Sequence, residues 1–119
     1  MIPYNLINNL KNKNVKNVTG EEAFDLLKTN QKAIILDVRT KDEYIHGHIP
    51  NALNIEVRSL MNNLDSLYSF KDMPIIVHCA SGSRSLIAVN ILSSNGFSNI
   101  YHISKGLKDW KHEISYGAK

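Results

Sequence analysis

Cysteine and arginine are scarce in this chain of 119 residues, which has one cysteine and three arginines against eleven lysines. A single cysteine excludes an intramolecular disulfide and suits a reducing compartment. The lysines are scattered apart from a loose group at Lys11, Lys13 and Lys16. A nucleic-acid surface would need more arginine and clustered aromatic residues. The net charge of +3 therefore indicates a solvated, mildly basic surface and no nucleic-acid partner.

Long apolar runs are also missing. No stretch approaches the roughly 20 apolar residues that a membrane-spanning helix requires. The N-terminus, MIPYNLINNLKNKN, has neither the continuous apolar segment nor the small-residue cleavage site of a signal peptide. We therefore expect a cytoplasmic protein with no membrane partner. A chain from which a signal peptide had already been removed would look the same.

Short apolar runs alternate with amphipathic segments along the chain. KAIILDV, PIIVH and NIYHI each predict a buried strand, and the end of KDEYIHGHIPNALNI predicts a shorter one. VTGEEAFDLLKTN, VRSLMNNLDSLYSF, RSLIAVNILSSNG and GLKDWKHEI have helical character. This alternation favours an α/β domain with parallel strands and right-handed crossovers. Ligands of such sheets bind at the carboxyl ends of the strands, where the polar stretches 37–39 and 79–84 follow.

The helical segments carry recognisable signals at their ends. Thr19 and Glu22 have the spacing of a capping box, and Gly96 suits the position after a helix C-terminus. The residues predicted to face inward on the helix before Gly96 are Leu86, Ala88, Val89 and Leu92.

The most informative stretch is HCASGSRS, where the only cysteine, Cys79, directly follows a predicted strand. The next four residues are small, so the backbone can curl and aim several N–H groups at one centre, which is how an anion is bound. A helix begins near Arg84 and adds partial positive charge, while the guanidinium can bind an oxyanion through two hydrogen bonds. These groups should lower the pKa of the thiol. A buried core cysteine is the alternative, and the combined pattern disfavours it.

With four residues between Cys79 and Arg84, the loop resembles that of the single-domain rhodanese family. ILDVRTKDEYIHGHIPNALNI is similar to the family's Asp-Val-Arg, Glu-Tyr and Gly-His-Ile-Pro-x-Ala signature. ISKGLKDW resembles its closing Gly-Gly-x-x-x-Trp segment, with Lys105 in place of the first glycine. The resemblance assigns residues 15–119 to the domain and leaves residues 1–14 as an N-terminal extension without a role. It implies a three-layer α/β fold with a central, mostly parallel five-stranded sheet and helices on both faces.

The resemblance also implies a sulfurtransferase reaction. Cys79 would take a sulfur atom from a small anionic donor such as thiosulfate, and an external thiol or cyanide would remove it from the Cys79 persulfide. Arg84 would bind the sulfonate of the donor. Backbone N–H groups of the loop would stabilise the persulfide, and the loop residues are Ala80, Ser81, Gly82, Ser83 and Ser85. No metal and no organic cofactor is required, and a sulfur-relay protein is a further candidate partner.

Two other functions stay open from the sequence. Cysteine-based phosphatases and arsenate reductases use a related loop, but the tyrosine and low-molecular-weight phosphatases place one more residue between cysteine and arginine, since phosphate needs a wider cradle. A persulfide carrier that docks on a partner protein would have the same loop as the enzyme. The loop length argues against a phosphatase or arsenate reductase. It does not distinguish a persulfide carrier from the enzyme.

Polar residues on the neighbouring segment have a structural and a functional interpretation. The resemblance implies mainly structural roles for Asp37 and Arg39, with Arg39 paired to a nearby acid such as Glu43, and contact with an anion is the minority interpretation for Arg39. His46 and His48 with the acids beside them form a weak metal-binding pattern. A loop that fixes a turn explains those two histidines better.

Three further residues have two interpretations each. His78 precedes Cys79 on a strand and should point to the opposite face of the sheet, as a core histidine rather than a general base. Ser85 either donates a hydrogen bond to the Cys79 sulfur or simply lies in the first helical turn. Trp110 is expected to be a packing anchor on the last helix, and shielding of the site from water is its alternative role.

Overall fold

The computed structural model describes residues 12–118, and its centre is a five-stranded sheet. The strands are β1 (Val15–Val18), β2 (Ile34–Asp37), β3 (Leu53–Asn54), β4 (Ile75–His78) and β5 (Ile100–Ile103). All pairings are parallel, in the order β1-β5-β4-β2-β3. The predicted parallel α/β sheet is therefore confirmed, although no run of the sequence was assigned to β1. That edge strand, VKNV, buries only Val18 and so lacks an apolar run.

Within residues 12–118, three α-helices and three 3₁₀-helices accompany the strands, and the last of them follows β5. The α-helices are α1 (Gly20–Thr29), α2 (Lys41–Ile45) and α3 (Ser83–Ser94), and the 3₁₀-helices are Val57–Ser59, Met61–Phe70 and Leu107–Asp109. The capping box before α1 is confirmed, because Thr19 and Glu22 exchange side-chain-to-backbone hydrogen bonds. Gly96 follows α3 with a φ of +96°, as its predicted position requires.

Helices cover both faces of the sheet, as expected. On one face, α3 and the 3₁₀-helix Met61–Phe70 pack on a cluster that includes Leu36, Leu64, Val77, Cys79, Ala88 and Leu92. On the other face, a second cluster includes Ala23 of α1, Tyr44 of α2, and Ile35, Ile76 and Trp110. Since successive strand residues alternate between these clusters, the sheet is buried on both sides.

One inward-facing assignment on α3 is wrong. Ala88, Val89 and Leu92 are buried, but Leu86 is 55% exposed. Residues two apart lie about 200° apart around a helix. Leu86 therefore cannot share the face of Ala88, and it lies at the surface beside the first turn.

The last predicted helix is also wrong in its extent. Only Leu107–Asp109 is helical, as a single 3₁₀ turn, and Trp110 has extended backbone angles. Trp110 is buried and packs edge-on against Phe24, with ring centroids 5.7 Å apart, while His112 stacks on Phe24 at 3.5 Å. With Trp110 extended, the rings of Trp110 and His112 both contact Phe24. The predicted role of Trp110 as a packing anchor is consistent with this.

Most of the predicted N-terminal extension, residues 1–11, lies outside the described residues. Two of the three residues that follow contact α3. Asn12 Nδ2 donates to Asn90 Oδ1 at 2.9 Å, and Asn14 Nδ2 donates to Ser93 Oγ at 3.1 Å. Asn12 and Asn14 thus attach the chain to α3 before β1 begins.

Candidate active site

The two polar stretches identified in the sequence meet at the carboxyl edge of the sheet. Asp37 is the last residue of β2, and its register partner in β4 is His78, directly before Cys79. The backbone N–H of Val38 donates to the His78 carbonyl at 3.1 Å. Cys79 therefore lies beside the end of β2, at the place where open α/β sheets bind ligands.

The Cys79 sulfur is surrounded by hydrogen-bond donors of its own loop. Sγ accepts the backbone N–H of Gly82 at 3.1 Å and that of Ser85 at 3.3 Å. The Ser85 hydroxyl lies 3.3 Å from Sγ, with either atom as the donor, so Ser85 contacts the sulfur from the first turn of α3. The sulfur also lies at the N-terminus of α3, a helix of twelve residues, where the helix dipole favours negative charge. The whole residue is buried.

These donors change the acidity of the thiol. Burial opposes ionisation, but the hydrogen bonds from the Ser85 side chain and from the backbone of Ser85, Gly82 and Ser81 outweigh it. The result is a pKa of Cys79 below the ordinary value of a thiol. Because the thiolate is the nucleophilic form of cysteine, the geometry suits covalent catalysis at this sulfur.

The loop is held in place by the segment that follows β5. Gly82 has a φ of +110°, and a Cβ there would overlap the carbonyl oxygen of Ser104. Gly106 has a φ of +79°, and a Cβ there would overlap the carbonyl oxygen of Ala80. Only glycine combines these angles with such close backbone approach. This explains why the second glycine of the closing motif is kept, whereas Lys105, which replaces the first, is exposed.

Arg84 pairs with Glu43, a pairing that the sequence did not suggest. Its Nη1 lies 2.6 Å from Glu43 Oε1 and its Nη2 lies 3.0 Å from Glu43 Oε2, so the guanidinium and carboxylate form a two-point pair. The hydrogen bond to Arg84 lowers the pKa of Glu43 to about 2. Glu43, the example of a nearby acid expected beside Arg39, therefore pairs with Arg84 instead.

Arg39 instead pairs with Asp37. Its Nη2 lies 2.7 Å from Asp37 Oδ2, its Nε donates to Oδ1 at 3.0 Å, and its Nη2 also donates to the Gly47 carbonyl at 2.7 Å. Asp37 has no exposed side-chain surface, and the Arg39 side chain is 7% exposed. This buried network joins the end of β2 to the loop after α2, which is a structural arrangement.

His102 is a site neighbour that sequence reasoning missed. Its Nε2 lies 2.6 Å from Ser85 Oγ, and it is buried. Strand register explains the contact. His102 is the register partner of Val77 in β4, and Val77 and Cys79 share a face of the sheet, so His102 lies on the face of the sulfur. The sequence does not reveal that register, so the contact emerges only from the fold.

His78 lies on the opposite side of the strand from the sulfur, as expected. Its Nδ1 lies 3.1 Å from the Cys79 carbonyl oxygen, and its Nε2 lies 3.6 Å from Asp37 Oδ2 without a hydrogen bond. Burial, which is its largest influence, lowers the pKa of His78. A neutral ring that faces the backbone carbonyl is not placed to act as a base on the thiol.

The remaining histidines of the region serve local structure. His46 Nδ1 lies 2.7 Å from the Asp42 carbonyl, and His48 Nδ1 lies 2.7 Å from the Tyr44 carbonyl, with its ring stacked on that of Tyr44. Between residues 12 and 118, no group of three or more His, Cys, Asp or Glu side chains is arranged to hold a metal ion. Over the same range, no helix has the length and apolar character needed to cross a membrane.

Fold and site together define a parallel α/β domain with an activated cysteine at a helix N-terminus. The family model of the rhodanese-like domain matches residues 19–113. The chain belongs to the rhodanese-like family.

Relatives and solved structures agree with this assignment. The chain is 31% identical to thiosulfate sulfurtransferase GlpE of Coxiella burnetii over 81% of this chain and 87% of that protein. It is 34% identical to the adenylyltransferase and sulfurtransferase uba4 of Ogataea parapolymorpha over 74% of this chain and 22% of that protein. The crystal structure of a rhodanese-like domain protein from Staphylococcus aureus superposes with a TM-score of 0.76 at 31% identity, covering 85% of this chain and 97% of that one.

Proposed function

We propose that this protein is a sulfurtransferase that carries sulfur as a Cys79 persulfide. The observation that carries the proposal is the set of three donors around Sγ: the N–H groups of Gly82 and Ser85 and the Ser85 hydroxyl. Donors aimed at a buried sulfur stabilise a thiolate or persulfide anion. The domain that does this comprises residues 15–119, and a cytoplasmic, reducing setting would keep the thiol free.

The reaction has two steps. The Cys79 thiolate attacks the outer sulfur of thiosulfate, a new S–S bond forms, and sulfite leaves with the electron pair of the old S–S bond. A thiol or cyanide then attacks the outer sulfur of the persulfide, and Cys79 leaves as thiolate. Since Cys79 is buried in this conformation, side chains of the loop must shift before a donor reaches the sulfur.

In the first step Arg84 would bind the sulfonate of the donor, with loop N–H groups from Ala80, Ser81 and Ser83 as further donors. Both terminal nitrogens of Arg84 are bonded to Glu43 here. We therefore infer that the donor competes with Glu43, or shares the guanidinium with it. Either arrangement is accessible, because about a third of each side chain is exposed.

A persulfide carrier that serves a partner protein is the second candidate. The occupied Arg84 favours it, since pairing with Glu43 limits capture of a small free anion. One relative that contains a matching segment is a larger protein named for adenylyltransferase and sulfurtransferase activities. The carrier would accept sulfur from a partner desulfurase and use thiosulfate poorly.

The test is the intact mass of the protein after incubation with thiosulfate, with Cys79→Ser as control. We expect the wild type to gain the mass of one sulfur atom, the control to gain none, and cyanide to release the sulfur as thiocyanate. If no sulfur adds while Cys79 can still be alkylated, thiosulfate is not the donor. Loading from a partner desulfurase would then support the carrier, and hydrolysis of an aryl phosphate would support a phosphatase.

A further inference from the structure

Ser85 connects the reactive sulfur to a second buried group. Its hydroxyl oxygen lies 3.3 Å from Cys79 Sγ and 2.6 Å from His102 Nε2. The three side chains form a hydrogen-bonded series that runs from the loop through the first turn of α3 to β5. Both Ser85 and His102 are buried, so water does not readily replace either partner.

A hydroxyl has one hydrogen, so the direction of each hydrogen bond in this series depends on the others. With Cys79 as a thiol, S–H can donate to Oγ while Oγ–H donates to His102 Nε2. With Cys79 as a thiolate, Oγ–H can donate to the sulfur instead of to the Gly82 carbonyl oxygen, which lies 3.2 Å from Oγ, and Oγ then accepts from a donor on its other side. Only the Nε2–H form of His102 supplies that donor.

We propose that His102 is a positioning residue that directs the Ser85 hydroxyl at the Cys79 thiolate and persulfide. The inference rests on the proposed function, because it assigns a second residue to the anionic states of that reaction. On ionisation, the S–H bond breaks and its proton passes to Ser85 Oγ, while the Ser85 proton passes to His102 Nε2. The ring releases its Nδ1 proton to solvent, so one proton is lost in total and the ring stays neutral.

Two features of the surroundings support this assignment. Burial, followed by the nearby His78, lowers the pKa of His102 to about 4, so the ring is neutral at neutral pH and has one donor and one acceptor nitrogen. The ring also lines a cavity of about 220 Å³ between α3 and β1, whose walls include Val15, Asn17 and Asn90. Cys79 is not among the residues that line this cavity, so a proton released into it would not pass the sulfur.

The sulfur also has charged groups in its surroundings, and the test must separate them from His102. Arg84, which interacts electrostatically with Cys79, and its partner Glu43 lie at the loop, while His78 and Asp37 lie at the ends of the neighbouring strands. None of them contacts Ser85 through a side-chain hydrogen bond in the part of the chain that is described. A change at position 102 that acts only through Ser85 is therefore distinguishable from a general electrostatic effect.

The experiment compares His102→Gln with His102→Asn. The glutamine amide can place an N–H near the position of Nε2, whereas the shorter asparagine amide cannot reach Ser85. The readout is the pKa of the single thiol, from its thiolate ultraviolet absorbance and from the pH midpoint of alkylation. We expect His102→Asn to raise that pKa by about one unit, which is about a tenfold loss of thiolate at neutral pH, and His102→Gln to stay close to the wild type.

Repeating both variants in a Ser85→Ala background completes the test. If His102 acts through Ser85, the asparagine variant causes no further shift once the hydroxyl is gone. Equal pKa values for the asparagine, glutamine and wild-type proteins would overturn the proposal, as would a shift that persists without Ser85. Sulfur loading is measured separately. A protein that fails to take sulfur from thiosulfate can still show the His102 effect on the thiol pKa, and a protein that takes sulfur can lack that effect.

Discussion

Two arginine–carboxylate pairs flank the end of β2 and the active-site loop, and they differ mainly in burial. Arg39 and Asp37 are almost completely removed from solvent, whereas about a third of the Arg84 and Glu43 side chains is exposed. A buried pair must remain paired, because either charge left alone in the interior is costly. An exposed pair contributes little stability and can exchange partners at low cost. The same chemistry is therefore structural at one site and available for ligand binding at the other.

Breaking the buried pair should have the largest effect. Asp37→Asn leaves the Arg39 guanidinium without its carboxylate, and we expect a loss of about 3–5 kcal/mol in the free energy of unfolding. Such a loss is a large part of the 5–15 kcal/mol typical of a domain. Urea unfolding of the variant beside the wild type measures it. A loss below about 1 kcal/mol would mean that the buried pair is no more important than a surface pair.

Changing each partner of the exposed pair in turn should show whether Arg84 binds the donor or only supports the structure. Arg84→Ala removes the proposed sulfonate contact, and we expect kcat/KM for thiosulfate to fall about tenfold to a hundredfold, the size of a lost charged hydrogen bond. Glu43→Gln leaves the guanidinium and removes its competitor, so KM for thiosulfate should stay unchanged or decrease. Unfolding free energy should change by less than about 1 kcal/mol in both variants.

The kinetic comparison has a clear contrary result. If the pair acts only by tying the loop to α2, both variants lose activity to a similar extent. Unchanged kinetics in Arg84→Ala would remove Arg84 from the proposed binding site altogether. Sulfur loading of Cys79 by mass spectrometry, measured on the same samples, shows whether the first or the second step is affected.

The smallest expected effect is on the pH dependence of the unfolding free energy. The pKa of Glu43 lies at about 2 in the folded protein, below its ordinary value of 4.5, and the hydrogen bond to Arg84 is the main cause. A carboxyl with a depressed pKa stabilises the fold above its unfolded value and loses that contribution as pH falls towards the folded value. The difference in unfolding free energy between wild type and Glu43→Gln should therefore be constant near neutral pH and shrink between pH 4.5 and about 2. Because the pair is partly exposed, we expect less than about 1 kcal/mol in total, and an increase of the difference in acid would contradict the assignment.

The comparison of the two pairs also shows where sequence reasoning reached its limit. The sequence placed the stretches 37–39 and 79–84 at the carboxyl edge of the sheet. The family resemblance suggested a nearby acid such as Glu43 as the partner of Arg39, and in the fold that acid is Asp37, reached through the short turn after β2. Glu43 then faces the cysteine loop, because the capping box at Thr40 and Glu43 starts α2 beside it. Partner choice depended on the direction of each side chain, which residue spacing along the chain does not encode.

Local patterns by themselves determined much of this protein. The apolar runs of β2, β4 and β5, the capping box at Thr19, the glycine after α3 and the small residues after Cys79 each depend on neighbours within a few positions. They identified a parallel α/β sheet with a cysteine at the carboxyl edge. Tertiary structure decided the edge strand β1, the extended path through Trp110, the partner of Arg84, and the contact of His102 with Ser85. Those features join residues far apart in the chain, so they follow from strand register and packing, which form only when the whole domain folds.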